Sequence, residues 1–330
     1  MMSGFVWPLF ALCVALELSP ARTAARAPDR FEIRGKDYVR LADWARANHL
    51  DWRWIKHDET LLLNSPSASI HCAVDSREVL VNNVRVWLLF PLVNREGTVF
   101  ASQLDLNTTL QPLLAPAKNL PGTKVRTICL DPGHGGRDPG NLIGSRKEKE
   151  YTLLLAQELR EQLKQAGFKV ILTRSTDAFV ELPARPELAK RRGADLFVSL
   201  HFNATEIGRN EVRGAESYCL TPAGAFSTNA RGEGGGGWLT GNRHNEQNLL
   251  LAYQIQKSLV GDLSVEDHGV KRARFAVLRD APMPAALIEA GFMSHPAEGR
   301  KIFDPAYRRA VARAILEGIL AYRRLVERAG

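Results

Sequence analysis

The chain has 330 residues, 45% hydrophobic and 24% charged, enough for one large or two medium domains with a proper core. This excludes a collagen-like, coiled-coil or largely disordered chain. A net charge of +8, from 44 Lys and Arg against 36 Asp and Glu, suits an anionic polymer such as an acidic glycan or a cell wall. Nucleic acid is set aside, because no Lys/Arg-rich run carries interleaved aromatic residues.

The chain opens with FVWPLFALCVAL (5–16), an apolar run short for a bilayer span. Small residues follow in SPARTAARA (19–27). The pair reads as a secretory signal peptide over residues 1–27, cut after Ala21, Ala25 or Ala27. Its removal takes away Glu17, Arg22 and Arg26, so the net charge falls by one. The expected location is outside the cytoplasm, in the periplasm or cell envelope. No later segment reads as a membrane helix. Cys72, Cys129 and Cys219 lie in strand-like runs with no Cys-x-x-Cys, and read as small buried residues.

Residues 28–106 form a first unit, a small α+β domain. A short helix is expected within Tyr38–Asn48, with Leu41, Trp44 and Ala45 on one face. Strands follow at 61–63, 70–74, 79–81 and 84–86, the last two joined at Asn82-Asn83, a pair suited to a hairpin turn. His49, His57 and His71 share no tight spacing and read as ordinary residues. Residues 107–123 carry three prolines and few charges, and read as a linker. A fragment starting near residue 119 is therefore expected to fold alone.

From 124 to 330 strands and helices alternate. Strands are expected at 125–130, 170–172, 196–200, 216–220 and 285–288. Helices are expected at about 150–166, 182–193, 246–260 and 305–326. The fold class is α/β, a mixed sheet with helices on both faces. His134, His201 and Glu289 each follow a buried strand, where ligands bind in such sheets. Glu148 begins the helix after the His134 loop. Two histidines and a carboxylate with a vacant position make a common catalytic zinc set, and a second carboxylate can act as base. The other reading makes these residues loop, cap and surface polars, and the pattern alone leaves both open.

Stretches in order along 125–325 carry more. They are ICLDPGHGGRDPGN (128–141), KEKEYTLLLAQEL (147–159), VILTRSTDAFVELPAR (170–185), GADLFVSLHFNA (193–204), GVKRARFAVLR (269–279) and AALIEAGFMSHP (285–296). Together they resemble the catalytic domain of the zinc-dependent N-acetylmuramoyl-L-alanine amidases of bacterial cell walls. The resemblance implies Zn2+ as cofactor, with His134, Glu148 and His201 as ligands and Glu289 as catalytic glutamate. Glu148 is preferred to Glu150 because the family's ligand precedes a lysine, here Lys149. His295 stands where the family has asparagine, and His268 where it often has arginine. The first unit is similar, more loosely, to the small N-terminal domain named after copper amine oxidases, through DYVRLADWARANHLDWRW (37–54) and GTVFASQLDL (97–106). It shows no copper ligand set and suggests a spacer or wall-binding role.

The implied reaction is hydrolysis of the amide between the lactyl group of N-acetylmuramic acid and L-alanine in peptidoglycan. An activator protein is among the implied partners. The alternatives are a non-catalytic peptidoglycan-binding protein, or a zinc peptidase or deacetylase acting on another wall bond. Arg174 and Arg185 are candidates for stem-peptide carboxylates, against a structural reading. Some relatives carry a blocking helix between the strand ending at Leu220 and the helix from about 246. Here that stretch is glycine-rich at 232–237, so a groove-lining loop bearing Trp238 is expected instead.

Overall fold

A computed structural model of the chain describes residues 30–230 and 236–327. The expected signal peptide, residues 1–27, lies outside the described residues, as does most of the glycine run. The N-terminal unit starts with β1 (Arg30–Ile33), β2 (Lys36–Arg40) and α1 (Leu41–Ala47). Leu41 and Ala45 are the buried positions of α1, on the face the spacing indicated. Next come β3 (Asp51–Lys56), β4 (Thr60–Asn64), β5 (Ser69–Ala73), β6 (Glu78–Val81) and β7 (Val84–Trp87), an antiparallel meander. Asn82 and Asn83 turn between β6 and β7 with φ of 48° and 65°, which asparagine tolerates better than most residues. Strands β8 (Val93–Arg95) and β9 (Thr98–Ser102) complete a separate four-stranded sheet with β1 and β2.

The stretch expected to be a linker is partly folded. After α2 (Gln103–Asp105) a π-helical turn spans Leu106–Leu110, and α3 (Gln111–Leu114) follows. Leu106 and Leu110 are buried, which anchors this end of the stretch to the core. Regular structure is then absent until β10 (Thr127–Pro132).

A two-stranded hairpin, β11 (Leu142–Ile143) and β12 (Arg146–Lys147), leads directly into α4 (Glu148–Gln165). Then follow β13 (Lys169–Leu172), α5 (Ala184–Arg191), β14 (Leu196–Asn203) and β15 (Ala215–Leu220). After a 3-10 turn at Thr240–His244 come α6 (Asn245–Leu263), β16 (Asp267–Ala273), α7 (Ala276–Arg279) and β17 (Ala285–Phe292). The described chain ends with α8 (Pro296–Phe303) and α9 (Pro305–Val326). Asp304 caps α9 by accepting from the Ala306 amide, with Pro305 in the first turn. No helix of the described residues is long and apolar enough to cross a membrane.

The main sheet has eleven strands in the order β13-β10-β14-β17-β15-β16-β7-β6-β5-β4-β3. Strands β13, β10, β14 and β17 run parallel, and β15 runs antiparallel to β17, so the sheet is mixed as expected. Its central strands are covered on both faces, which is why they read as nearly unbroken apolar runs. Ile128, Leu130, Val198 and Leu200 face a large core shared with Leu155 and Leu159 of α4, Ile255 of α6 and Ile315 of α9. Cys129, Phe197 and Leu287 point the other way, into a smaller core with Ala189 of α5 and Val277 of α7. Cys72, Cys129 and Cys219 are free and buried.

The sheet does not stop between the two units. Strand β16 pairs with β7 in parallel, with Val270 opposite Val86. The larger core is continuous across this seam, from Leu61, Ile70 and Val86 to Leu251 and Ile315. Arg272 is 1% exposed and donates to the Thr108 carbonyl, in the helical turn before α3. The N-terminal unit thus shares a sheet and a core with the rest, which an isolated fragment from residue 119 would lack.

Candidate active site

The loop after β10 holds His134 in a conformation few side chains adopt. His134 has φ of 63°, and Gly135 and Gly136 follow at 125° and 56°. The two glycines carry this left-handed run at low cost, and a Cβ on Gly135 would strike the Ala178 carbonyl. Gly133 is needed for a different reason: a Cβ there would collide with the His201 imidazole. Glycine therefore lets the loop backbone lie against one of the site's own rings.

His134, Glu148 and His201 are brought together, with one ligand atom from each lying within 4.8 Å of the others. His134 Nε2 is 3.1 Å from Glu148 Oε2, and His201 Nδ1 is 3.0 Å from Glu148 Oε1. The two rings meet edge to face with centroids 4.9 Å apart. Asp138 Oδ2 accepts from His134 Nδ1 at 2.9 Å, so Nε2 is left bare toward the shared point. The Glu148 carboxylate also accepts from the amides of Asn141 (2.9 Å) and Phe202 (3.1 Å), which fix its orientation. Burial works to raise the Glu148 carboxyl, but hydrogen bonds with the two histidines outweigh it and hold the group well below the usual carboxylate range. Burial also opposes charge on His134, and Glu148 with Asp138 overcomes it, so the ring's proton affinity is raised.

His201 and Glu289 do not follow their strands; they lie inside them. Strand β14 continues to Asn203 and β17 to Phe292, and His201 stands opposite Glu289 in register. Glu216 stands opposite Glu289 on the other side. By strand alternation these residues share a face with the smaller core, extending it as a polar row beyond its apolar end. Glu289 Oε2 is buried with no hydrogen-bond partner among the described residues. Burial raises its proton affinity well above the ordinary carboxyl value, and the Glu148 and Glu216 charges raise it further.

Several residues of this row escaped the sequence reading. Glu216 is held by the Lys271 ammonium, by Asn203 Nδ2 at 2.8 Å and by the Tyr218 hydroxyl at 2.8 Å. Their signal was a charged residue in an otherwise apolar strand, which sequence alone assigns equally to an edge. Asp131 was missed although it lies in DPGHGG. It is fully buried and accepts from Thr173 Oγ1 (2.6 Å), Arg185 Nη1 (2.8 Å) and Ser199 Oγ (2.8 Å).

Arg174 and Arg185 are not substrate groups. They are 4% and 1% exposed. Arg185 donates to the His134 carbonyl at 3.0 Å, and Arg174 to the Gly133 carbonyl at 2.8 Å. Their work is to hold the His134 loop from beneath, because the left-handed backbone leaves its carbonyls turned inward. Removing Asp131 would strand the Arg185 charge. Asp131→Ala is expected to cost about 3–5 kcal/mol, the typical penalty for breaking a buried pair, read from the denaturant midpoint. A loss under about 1 kcal/mol would show that the network contributes little.

In the segment expected to lack a blocking helix, the described residues hold only the 3-10 turn at Thr240–His244. Residues 231–235 lie outside the described residues. Trp238 is 57% exposed, with the Arg243 guanidinium 5.5 Å from its ring.

Two imidazoles and a carboxylate thus converge on an α/β sheet in a group that could hold a metal ion, with Glu289 opposite His201 in the neighbouring strand. Residues 128–321 match the N-acetylmuramoyl-L-alanine amidase family, and the chain belongs to that family. It is 34% identical over 244 residues to the N-acetylmuramoyl-L-alanine amidase AmiC of Neisseria meningitidis serogroup B, covering 67% of this chain and 57% of that protein. The chain thus spans little more than half the length of this relative. The crystal structure of an N-acetylmuramoyl-L-alanine amidase from Clostridium difficile 630 superposes with a TM-score of 0.50 at 33% identity, covering 61% of this chain and 97% of that one. The CwlD amidase of Clostridioides difficile, in complex with the GerS lipoprotein, gives 0.50 at 29% identity over 60% of this chain and 98% of that one.

Proposed function

We propose that this protein is a zinc-dependent hydrolase that cuts the amide joining N-acetylmuramic acid to L-alanine in peptidoglycan. The observation that carries this reading is the convergence of His134, Glu148 and His201 within 4.8 Å, with the Glu289 carboxylate unpartnered beside them. The donor set fits zinc: two imidazoles, one carboxylate and a position left open, with Asp138 behind His134 as an orienting carboxylate. Zinc held there would supply a Lewis acid that polarises the amide carbonyl and acidifies water.

The chain's own residues supply the rest. Glu289 takes a proton from the attacking water and returns it to the leaving nitrogen, a role its raised proton affinity suits. Lys271, Asn203 and Tyr218 fix Glu216 and so fix the charge beside Glu289. The site of action is the cell envelope, reached by loss of residues 1–27 as a signal peptide. A protein activator belongs to the same proposal, supported by the lipoprotein partner in the CwlD structure.

Purified protein is expected to hold about one zinc per chain. His134→Ala and His201→Ala are each expected to lose both zinc and activity. Full zinc by elemental analysis in either variant would overturn the ligand assignment. Mass analysis of digested peptidoglycan tests the reaction itself. An amidase frees intact stem peptides and leaves intact glycan strands, whereas shortened peptides or deacetylated sugars would replace this reading with another.

A further inference from the structure

A cavity of about 370 Å³ opens where segments continuous with the site residues meet, and its lining includes Ile143, Arg209, Ser294, His295, Arg300 and Phe303. Its walls come from the three segments that adjoin the site residues. Ile143 belongs to the hairpin that runs into Glu148. Arg209 lies on the loop that leaves β14 after His201 and Asn203. Ser294 and His295 follow β17, which carries Glu289. The Thr205 amide donates to Ser294 Oγ at 3.0 Å and ties two of these walls together.

The cavity is rich in cationic donors. Arg209 and Arg300 line it, and neither has a carboxylate within 4.0 Å among the described residues. Arg146 stacks on the Phe303 ring at 3.8 Å, adding a third guanidinium at the rim. The acidic group on the same helix, Glu298, is turned away: its carboxylate accepts from the amides of Gly214 and Phe292. His295 is 6% exposed and its Nδ1 accepts from the Glu298 amide at 3.1 Å, capping α8. Capping is the service an asparagine oxygen would give at this position. Histidine keeps it and adds something: with Nδ1 accepting, the ring's N–H is at Nε2, a donor for the cavity.

We propose that this cavity is a carboxylate-binding subsite, in which Arg209, Arg300 and His295 hold a free carboxylate of the peptide whose N-terminal amide is cut. The inference rests on the amidase reading, since it takes the reacting bond to lie at the proposed zinc ligands. A carboxylate fits better than a sugar, because the polar lining offers forked donors and Glu298, the acid on α8, is engaged elsewhere.

The test compares two synthetic N-acetylmuramoyl peptides, one with free peptide carboxylates and one with these converted to carboxamides. With the zinc-loaded full-length protein, KM is expected to be about tenfold or more lower for the carboxylate substrate, the range of a charge-assisted hydrogen bond. Arg209→Gln combined with Arg300→Gln is expected to shrink that ratio to near one, with zinc retained. Both arginines are exposed, so the double variant is expected to fold. Equal KM values for the two substrates in the wild type, or an unchanged ratio in the double variant, would overturn the subsite while leaving the amidase reading standing. Calorimetric titration of the free stem peptide and its carboxamide separates the two claims. Selective binding of the carboxylate peptide, together with no cleavage of either N-acetylmuramoyl peptide, would support the subsite and sink the amidase reading.

Discussion

Replacing Glu289 with alanine is expected to leave zinc bound and to lower turnover about 10²–10⁴-fold, the usual contribution of a positioned acid or base. Glu289 is outside the group whose ligand atoms converge within 4.8 Å, so the metal keeps its donors. Its Oε2 is buried without a partner, so no hydrogen bond is broken by the change. The carboxyl is pushed toward its protonated form by burial first and by Glu148 and Glu216 next. Removing it takes away a buried carboxyl that no hydrogen bond compensates, so thermal stability is expected to hold or rise. That combination separates chemistry from collapse. Near-wild-type hydrolysis, or loss of zinc from the variant, would sink the assignment. A variant that keeps zinc, melts no lower and turns over far more slowly is the pattern of a proton-transfer group.

The convergence of His134, Glu148 and His201 was legible because these residues sit where apolar runs end or a helix begins, and loops and strand ends are where an α/β sheet places its ligands. What the pattern misplaced was the end itself. His201 and Glu289 break the hydrophobic run, yet backbone pairing continues two and three residues beyond them. A polar side chain on one face does not stop a ladder. Strand β16 was hidden for a related reason: GVKRARF reads as charged, but Arg272 is buried and Lys271 is spent on Glu216. Strand β3 was hidden in the opposite way, since all its residues but Trp54 are exposed and no alternation marks it. Arg174 and Arg185 looked like substrate groups because sequence shows a charge and not its partners. The joining of β7 to β16 had no local signal at all, because the two strands lie far apart in sequence and either one reads as an edge.

That joining makes the second large prediction. A fragment starting at residue 119 is expected to melt about 10 °C below the full-length protein, the shift that a few kcal/mol produces in a domain of this size. The fragment loses β1–β9 and α1–α3, and with them the partner of β16. Val86 leaves Val270, the Arg85 amide leaves Asp267, and the Trp87 indole leaves the His268 carbonyl. Tyr253 of α6 loses the Val81 carbonyl, and Arg272 loses Thr108. Burying aliphatic side chains such as Val81, Val84 and Val86 contributes about 1.5–3 kcal/mol each as an upper bound, and that contribution vanishes. A bare β16 edge also offers an unpaired ladder to a second copy, so aggregation is expected to accompany the lower melting point. The Clostridium difficile 630 structure argues that a catalytic unit of this family can stand without such a neighbour, because 97% of that chain matches 61% of this one. The point at issue is what this chain has come to depend on. Strand β16 carries Lys271, which holds Glu216 beside Glu289, so loosening the seam reaches the site through one strand. Activity on soluble muropeptides is therefore expected to fall earlier on warming in the fragment than in the full-length protein. If both melt at the same temperature, the seam is a contact without energetic weight, and the N-terminal unit's place would have to be sought in binding instead.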